Sequence, residues 1–347
     1  MTIGLEIIKE VLSLYNIKGQ VTTVYDFIHY RDENELKIIS KVDFTDRDSL
    51  VIKFVREDKH PSHIIESQSA FSEYLRSQGI STPRRYLSED KYCIQYKLDY
   101  MYVDITVEDY IGEEIRTLDA HLAMKVGELM GKIHTLSENG NCLIGQSTIF
   151  DLLGYNEVSG YNTFCELSET HNIDVTMYQK IKELYHKRLE KIRVHWNTLP
   201  RFATQGDISI NNLTYVGDTI GIFDYNIAGD ETLVGDMVLE GLLLAYEMDL
   251  SFGLTDNDRA SLFQHFIQGY LTERPLTVDE KNVLSDIYSI AFAFWFTKIK
   301  YDEHSLEKLI ERNEKEKVGR LLHEIYTSLV RNDFDEQCEL NWKVLGS

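Results

Sequence analysis

Two acids and an amide lie close together in a stretch that otherwise reads as a loop followed by a buried strand. Residues 205–212 read QGDISINN, and GIFDYN follows at 221–226. Gly, Asp and Asn are ordinary turn residues, but a turn does not need a second acid at the end of an apolar strand. The grouping of Asp207, Asn212 and Asp224 therefore indicates a chemical site.

These three side chains match the parts of a phosphoryl-transfer site. Hard cations such as Mg²⁺ take oxygen ligands, so Asn212 and Asp224 are candidate metal ligands. Asp207 could accept the proton of a substrate hydroxyl. A catalytic-loop Asp, an Asn five residues later and a second Asp form the kinase pattern. Gly206-Asp207 alone is more often a turn, and only the combination favours a site.

A lysine on a predicted strand supplies a further part. The run LVIKFV at 50–55 alternates in the manner of a strand, and Lys53 lies within it. Kinases hold the α- and β-phosphates with such a lysine, which pairs with an acid on the next helix. Glu66 is our candidate for that acid. The alternative interpretations are a surface lysine and a solvent-facing glutamate.

Apolar periodicity predicts an α+β organisation. Residues 20–56 contain three runs with alternating or β-branched apolar residues, which predict an antiparallel meander. SHIIESQSAFSEYLRSQGI reads as a helix, and KYCIQYKL and MYVDITVEDYIG read as two more strands. Beyond residue 116 the chain is helical except for a β-like island at 201–226. We therefore predict a small sheet lobe with one main helix, 1–110, and a mostly helical lobe, 111–347.

The net charge and the cysteine spacing limit the kinds of ligand and partner that the protein could bind. The net charge of −21 disfavours nucleic acid and anionic membranes. It would suit a cationic ligand, although solubility alone also explains it. Cys93, Cys142, Cys165 and Cys338 are widely spaced, which favours reduced thiols over disulfides or zinc. No stretch reaches 18 apolar residues, so no transmembrane helix is predicted, and we expect a cytoplasmic protein.

The combined motifs resemble those of the aminoglycoside phosphotransferase family. These are kinase-like small-molecule kinases, related to choline, homoserine and fructosamine kinases and to spore-coat CotS-type proteins. The resemblance covers almost the whole chain. It rests on VIKF around Lys53, QSAFSEYLRSQGISTPRRY, the EDYIG crossover, VGELMGKIHTL with His134, QGDISINNLTY, and IGIFDYNIAGDETLVGD with Asp236.

The resemblance implies a bilobal protein-kinase-like fold and a phosphotransferase activity. Such an enzyme uses Mg²⁺ with ATP or GTP and moves the γ-phosphate to a hydroxyl of a small molecule. Aminoglycosides, amino sugars and amino alcohols are the candidate acceptors. A nucleotide- or ligand-binding pseudokinase without transfer activity is the alternative. A protein kinase is disfavoured because no Ala-Pro-Glu motif follows Asp224.

The resemblance also implies residue roles. Asp207 would be the catalytic base, Asn212 and Asp224 the metal ligands, and Lys53 the phosphate-binding residue. The backbone at the crossover would hydrogen-bond the purine through Glu108, Asp109 and Tyr110.

The chain departs from the family pattern at three places. Gln205 stands where the family has His, and because its amide can both donate and accept hydrogen bonds, we expect it to support the loop. YDFIHYRDEN contains no glycine, whereas protein kinases cover the phosphates with a glycine-rich loop. The helix acid could fall at Gln68 in place of Glu66.

Other polar and aromatic residues have simpler interpretations. We expect His134 to be structural and Asp236 to cap a helix. We expect the Tyr and Phe residues in 288–301 to pack in the core or in the substrate lobe, and we favour the core. A group of acids would form an amine-attracting pocket or a solvated helix face: Asp230, Glu231, Glu240, Glu247 and Asp249.

Overall fold

The computed structural model describes residues 3–31, 35–56, 61–171, 174–217, 219–247, 253–331 and 334. Contacts divide the chain into two compact units. The first contains Met1–Thr117, Asn139–Gln146 and Ile210–Gly229, and the second contains Leu118–Glu138, Ser147–Ser209 and Asp230–Ser347. These units differ from the lobes 1–110 and 111–347 that we predicted, because two later segments return to the first unit.

A five-stranded antiparallel sheet forms most of the first unit, in the order β1-β2-β3-β5-β4. The predicted succession of three strands, a helix and two strands is confirmed. Its elements are α1 (Leu5–Leu14), β1 (Val21–Arg31), β2 (Leu36–Phe44), β3 (Leu50–Arg56), α2 (Ser62–Ser77), β4 (Ile94–Leu98) and β5 (Met101–Asp109), with the hairpin β7 (Leu213–Val216) and β8 (Thr219–Ile222).

Alternation along β3 separates the two faces of this sheet. Leu50, Ile52 and Phe54 are fully buried in a core that also contains the apolar residues of α1. The residues between them point to the opposite face. On that face Lys53 lies between Ile39 of β2 and Thr106 of β5.

The second unit is mostly helical. Helices α5, α8 and α10 pack against one another, and α6 packs on α7 and α8. Its elements are α3 (Ala120–Gly140), α4 (Tyr161–Thr170), α5 (Val175–His195), β6 (Arg201–Thr204), β9 (Gly229–Thr232), α6 (Leu233–Leu242), α7 (Asp256–Glu273), α8 (Val278–Ala293), α9 (Leu306–Glu311) and α10 (Lys315–Val330). Strands β6 and β9 pair with each other.

Two glycines let α3 and α7 approach at backbone distance. A Cβ atom on Gly127 would lie 2.0 Å from the carbonyl oxygen of Phe266, and one on Gly269 would lie 2.0 Å from that of Met124. No larger residue fits either position without moving a helix. This close crossing places His134 of α3 beside Tyr270 of α7.

Two helical segments widen into π-helix, at Leu243–Glu247 after α6 and at Thr297–Tyr301 after α8. Such segments are rare and are frequent at functional sites. None of the helices in the described ranges combines the length and apolar character needed to cross a bilayer.

Candidate active site

Lys53 is held between two carboxylates in the first unit. Its Nζ lies 2.9 Å from Oδ1 of Asp224 and 3.1 Å from Oε1 of Glu108. Burial alone would lower the pKa of Lys53, but the attraction of Asp224 and Glu108 raises it overall. The lysine is therefore a fixed cation, and it lines a small cavity of ≈ 60 Å³ together with Asp224.

Glu108 has a second cationic partner, Arg85. Nη1 of Arg85 lies 2.5 Å from Oε2 of Glu108, and both side chains are buried. One carboxylate thus joins two cations on the cavity side of the sheet. We predicted backbone contacts for Glu108, and motif reasoning missed its side-chain role and missed Arg85.

The predicted ion pair between Lys53 and Glu66 is wrong. The carboxylate of Glu66 accepts hydrogen bonds from the backbone N–H groups of Tyr92 (3.1 Å) and Cys93 (2.8 Å). Helix α2 turns this side chain toward the segment before β4, and the neighbouring strand β5 supplies the lysine's carboxylate.

Gln68, the other candidate on α2, is also engaged elsewhere. Its Nε2 donates to the carbonyl oxygens of Asn226 (2.9 Å) and Ala228 (3.0 Å). It therefore ties the helix to the chain that follows Asp224. Neither position on α2 provides the acid that the kinase template requires.

Asn212 and Asp224 lie at the same end of the β7–β8 hairpin. Leu213 pairs with Ile222, and the N–H of Phe223 donates to the carbonyl oxygen of Asn212 at 3.0 Å. The ladder thus brings together the two residues that we predicted as metal ligands. Asp224 has a left-handed backbone with φ of 59°, which is uncommon for a non-glycine residue and is often found at functional sites.

The donor set fits a cation that arrives with phosphate. Burial would raise the pKa of Asp224, but the nearby ammonium of Lys53 lowers it overall, so the carboxylate is ionised at neutral pH. Within the described residues no group of three or more His, Cys, Asp or Glu side chains could hold a metal. An amide and one carboxylate suit Mg²⁺, which keeps waters and takes phosphate oxygens as its other ligands.

A second cavity in the first unit, of ≈ 290 Å³, adjoins Lys53 and Glu108. Ile39, Val51, Pro83 and Phe223 give it apolar walls, and the segment 108–114 forms its polar edge. Its dimensions and lining are those of a small-molecule site with a few polar groups.

The crossover uses some of its own backbone donors. The N–H of Asp109 donates to the carbonyl of Arg84, and the N–H of Tyr110 donates to the carbonyl of Ser49. These two donors, which we expected to face a purine, are therefore occupied by the protein. The cavity edge continues through Ile111 and Gly112.

The glycine-free strand β1 contributes an aromatic side chain to the wall of a cavity in the first unit. Phe27 of β1 lines the larger of these two cavities and stacks on Tyr110 with ring centroids 6.1 Å apart. The Nζ of Lys41 lies 4.3 Å from the centre of the Tyr110 ring. Side chains, and not a glycine-rich backbone, therefore line the cavity at this strand.

The loop that carries Asp207 belongs to the second unit and is held on both sides. Oε1 of Gln205 accepts from the N–H of Asp207 at 2.8 Å, and Oγ of Ser209 donates to Oδ1 of Asp207 at 2.7 Å. The N–H of Ile208 donates to Oε2 of Glu240 at 2.7 Å. Gln205 is buried and acts as the loop support that we predicted from its amide group.

His134 and Asp236 form a buried polar link in the second unit. Nε2 of His134 lies 3.0 Å from Oδ2 of Asp236, and its Nδ1 lies 2.9 Å from the hydroxyl of Tyr270. Thr204 donates to the other oxygen of Asp236. The predicted helix-capping role of Asp236 is wrong, because α6 begins at Leu233, three residues earlier.

Two of the acids that follow Asp224 are removed from solvent. Glu231 and Glu240 are buried, at 2% and 0% exposure. Burial, with the nearby Asp151 carboxylate, raises the pKa of Glu231 to about 8. Burial also raises the pKa of Glu240. The side chain of Glu247, and Asp249 as a whole, lie outside the described residues.

The second unit contains an open cavity of ≈ 1110 Å³. Both π-helical segments contribute to its wall, through Tyr246 and through Thr297, Lys298 and Tyr301. The aromatic run 288–301 therefore has two roles: Tyr288 and Phe294 are core residues, as we predicted, but part of the run faces the cavity.

Charges of both signs line this cavity. Lys298 Nζ donates to the carbonyl of Phe292 at 2.8 Å and lies 3.9 Å from the centre of the Phe292 ring. Burial lowers the pKa of Lys298 to about 8, although Glu324 and Asp256 partly offset this. Arg331 also lines the cavity. A ligand there would meet aromatic faces, carboxylates and cations together.

Several solved structures with the same fold are named as small-molecule kinases or phosphotransferases. An amicoumacin kinase in complex with AMP-PNP, Ca²⁺ and Ami matches with a TM-score of 0.54 and 16% identity, over 93% of this chain and 92% of that one. A microcompartment-associated aminopropanol kinase matches with a TM-score of 0.57 and 14% identity, over 96% and 99%.

A macrolide 2′-phosphotransferase from Brachybacterium faecium matches with a TM-score of 0.51 and 9% identity, over 91% of this chain and 98% of that one. No protein-family model and no curated protein matches the sequence. These matches confirm the predicted resemblance at the level of the fold. The chain has the fold of the kinase-like small-molecule phosphotransferases.

Proposed function

We propose that this protein is a phosphotransferase that uses Mg²⁺ and ATP or GTP to phosphorylate a hydroxyl group of a small molecule. One observation carries the proposal. Lys53 of the third strand and Asp224, the acid that follows β8, meet at 2.9 Å beside a cavity of ≈ 290 Å³ with apolar walls. These residues are 171 positions apart in the sequence, and both belong to the motif that predicted them.

The nucleotide would occupy the ≈ 290 Å³ cavity of the first unit. Val51, Pro83 and Phe223 would contact the two faces of the purine, and the edge of the base would meet the chain at Ile111 and Gly112. Lys53 would contact the α- and β-phosphates. The AMP-PNP and Ca²⁺ named for the amicoumacin kinase are consistent with this assignment.

Asn212 and Asp224 would hold Mg²⁺, which neutralises charge on the phosphate oxygens. Asp207 would accept the proton of the acceptor hydroxyl. The hydroxyl oxygen forms the new bond to the γ-phosphorus, and the bond from that phosphorus to the β–γ bridging oxygen breaks. The products are a phosphate ester and a nucleoside diphosphate. Ser209 and Gln205, which hydrogen-bond to Asp207, would position it for this step.

The acceptor would bind in the ≈ 1110 Å³ cavity of the second unit. Helix α6 contributes to both places, since Glu240 accepts a hydrogen bond from the N–H of Ile208, next to Asp207, and Leu242 lines this cavity. Because carboxylates and cations both line it, we propose an acceptor that carries an amine and also an anionic or carbonyl group. This widens the amine-bearing class that the net charge suggested.

Binding and turnover measurements test the proposal. We expect Mg²⁺ with ATP or GTP to raise the melting temperature, and we expect nucleoside diphosphate release with one member of a panel of hydroxylated amines. Asp207→Asn should keep the melting shift and lose the turnover. Nucleotide binding without acceptor-dependent release, unchanged in Asp207→Asn, would establish the binding-protein alternative.

A further inference from the structure

Helix α2 does not supply the acid that orients Lys53. We propose that Glu108, braced by Arg85, is the positioning residue for Lys53, so that the phosphate-binding lysine is fixed within the sheet. This inference rests on the proposed function, because it concerns how the same nucleotide site is prepared.

The strand register places the pair. Val51 lies opposite Glu108, and Lys53 lies opposite Thr106, on adjacent antiparallel strands. Residues two apart on a strand share a face, so Glu108 is the diagonal neighbour of Lys53 on the cavity side. Backbone hydrogen bonds between β3 and β5 therefore fix the 3.1 Å contact.

Arg85 balances the negative charge that Glu108 brings to the site. A carboxylate beside Lys53 would repel the phosphates that the lysine is meant to attract. The guanidinium 2.5 Å away balances that charge, so Glu108 can orient the ammonium without adding net negative charge to the site. The backbone N–H of Arg85 donates a hydrogen bond to the carboxylate of Glu73, which helps to fix Arg85 in place.

Glu108 also opposes a competing contact. Asp224 attracts the same ammonium at 2.9 Å, and in the proposed reaction Asp224 must serve the metal. If Glu108 were replaced by an uncharged residue, the ammonium of Lys53 would keep its contact with Asp224. The carboxylate proposed to bind the metal would then stay occupied. Glu108 thus helps Lys53 to exchange Asp224 for phosphate.

The two acids on α2 and β5 allow a matched experiment. Glu108→Gln and Glu66→Gln make the same chemical change in the same unit, one at the lysine and one at two backbone N–H groups. Titration calorimetry would measure the binding of Mg²⁺·ATP, Mg²⁺·ADP and adenosine to wild type and to both variants.

We expect Glu108→Gln to weaken ATP and ADP binding about tenfold, which corresponds to the loss of one charge-assisted contact. Adenosine binding should not change. Glu66→Gln should lower the melting temperature and leave the ATP-to-adenosine affinity ratio unchanged. That selectivity for phosphate distinguishes positioning from a general structural defect.

A third variant separates folding from positioning. Glu108→Gln leaves a buried guanidinium unbalanced, which is costly. Arg85→Met combined with Glu108→Gln removes both charges and should recover the melting temperature, but not ATP affinity. Equal weakening of ATP and adenosine, or a phosphate-selective loss in Glu66→Gln, would overturn the inference. Wild type that binds no nucleotide would overturn the proposed function as well.

Discussion

The region around Lys53 in the first unit and the large cavity of the second unit balance their charges differently. Lys53 has carboxylate oxygens at 2.9 and 3.1 Å, and one of these acids has its own arginine. Lys298 donates to a backbone carbonyl and lies over an aromatic ring, and its acids act through Coulomb attraction alone. The ammonium of Lys53 is thus held by ion pairs, whereas that of Lys298 is held by a carbonyl oxygen and an aromatic ring.

Under the proposed function, this difference separates what the nucleotide requires of its site from what a particular acceptor requires. A triphosphate and its cation are constant in charge and shape, so fixed partners suit them. A site that leaves a cation desolvated stores binding energy for a ligand that can pair with it. The comparison predicts that changes in the two regions affect separate kinetic parameters.

The largest effect should come from the base. Asp207→Asn keeps the shape of the side chain but cannot accept a proton, so we expect transfer to fall by about 10²–10⁴-fold. Nucleotide affinity, measured by calorimetry, should stay within error of wild type. A variant that retains most of its turnover would show that Asp207 only supports the loop, and would remove the catalytic element from the second unit.

Loss of Lys53 should affect the nucleotide alone. Lys53→Met removes the charge at the phosphates, and we expect ATP affinity to fall by about 10- to 100-fold. The KM for the acceptor, measured at saturating nucleotide, should not change. An equal rise in both constants would mean that the two regions do not act separately.

Lys298→Met is the reciprocal change. For acceptors with a carboxylate we expect KM to rise about tenfold, while the KM for ATP stays constant. L-homoserine and 3-amino-1-propanol form a suitable pair of probes, because they differ by that carboxylate. If Lys298→Met affects both members of the pair equally, the lysine has a packing role and the acceptor class is wrong.

The same lysine predicts a pH dependence. Because the pKa of Lys298 is lowered to about 8, its positive charge is present below that pH and is lost above it. Binding of a carboxylate-bearing acceptor to wild type should therefore weaken as the pH rises through 8. Lys298→Met should show no such step, and its presence there would assign the titration to another group.

The last prediction concerns stability and not turnover. The pKa of Glu231 is raised to about 8, above its value in the unfolded chain, so the folded state holds a proton that the unfolded state releases. The free energy of unfolding should fall as the pH rises from 5 to 8, by at most about 1.4 kcal/mol per pH unit for one proton. Glu231→Gln should flatten this slope in urea unfolding. An unchanged slope would assign it to other buried acids such as Glu240.

The fold could be predicted because its signals are local. Strand alternation, helical periodicity and the motif around Asp207 each depend on a few neighbouring residues. Asn212 and Asp224 could be paired for the same reason, since a short hairpin joins them. Gln205 supports its loop as its amide group suggested.

The wrong prediction at Glu66 has a different origin. The partner of Lys53 depends on the register between β3 and β5, which spans more than fifty residues and leaves no local signal. Alternation did place Lys53 on one face, and a known register would have put Glu108 on the same face. We placed the acid on a helix because kinases have it there, whereas the partner of Lys53 is decided by the register between β3 and β5.

The large cavity could not be predicted for a related reason. Its lining comes from α6, α7, α8, α10 and the two π-helical segments, and no motif joins these residues. An extra residue in a helical turn changes which side chains face a cavity, and helical periodicity alone does not reveal it. This is why the sequence predicted a reaction more readily than an acceptor.

The left-handed backbone of Asp224 limits how this site can change during evolution. Most side chains are strained at φ of 59°, and glycine, asparagine and aspartate are the residues that adopt it most easily. Of these, glycine has no ligand oxygen. Natural variants that keep a cation here should therefore carry Asp or Asn. Deep mutational scanning for nucleotide binding should find that only these two residues are tolerated at this position.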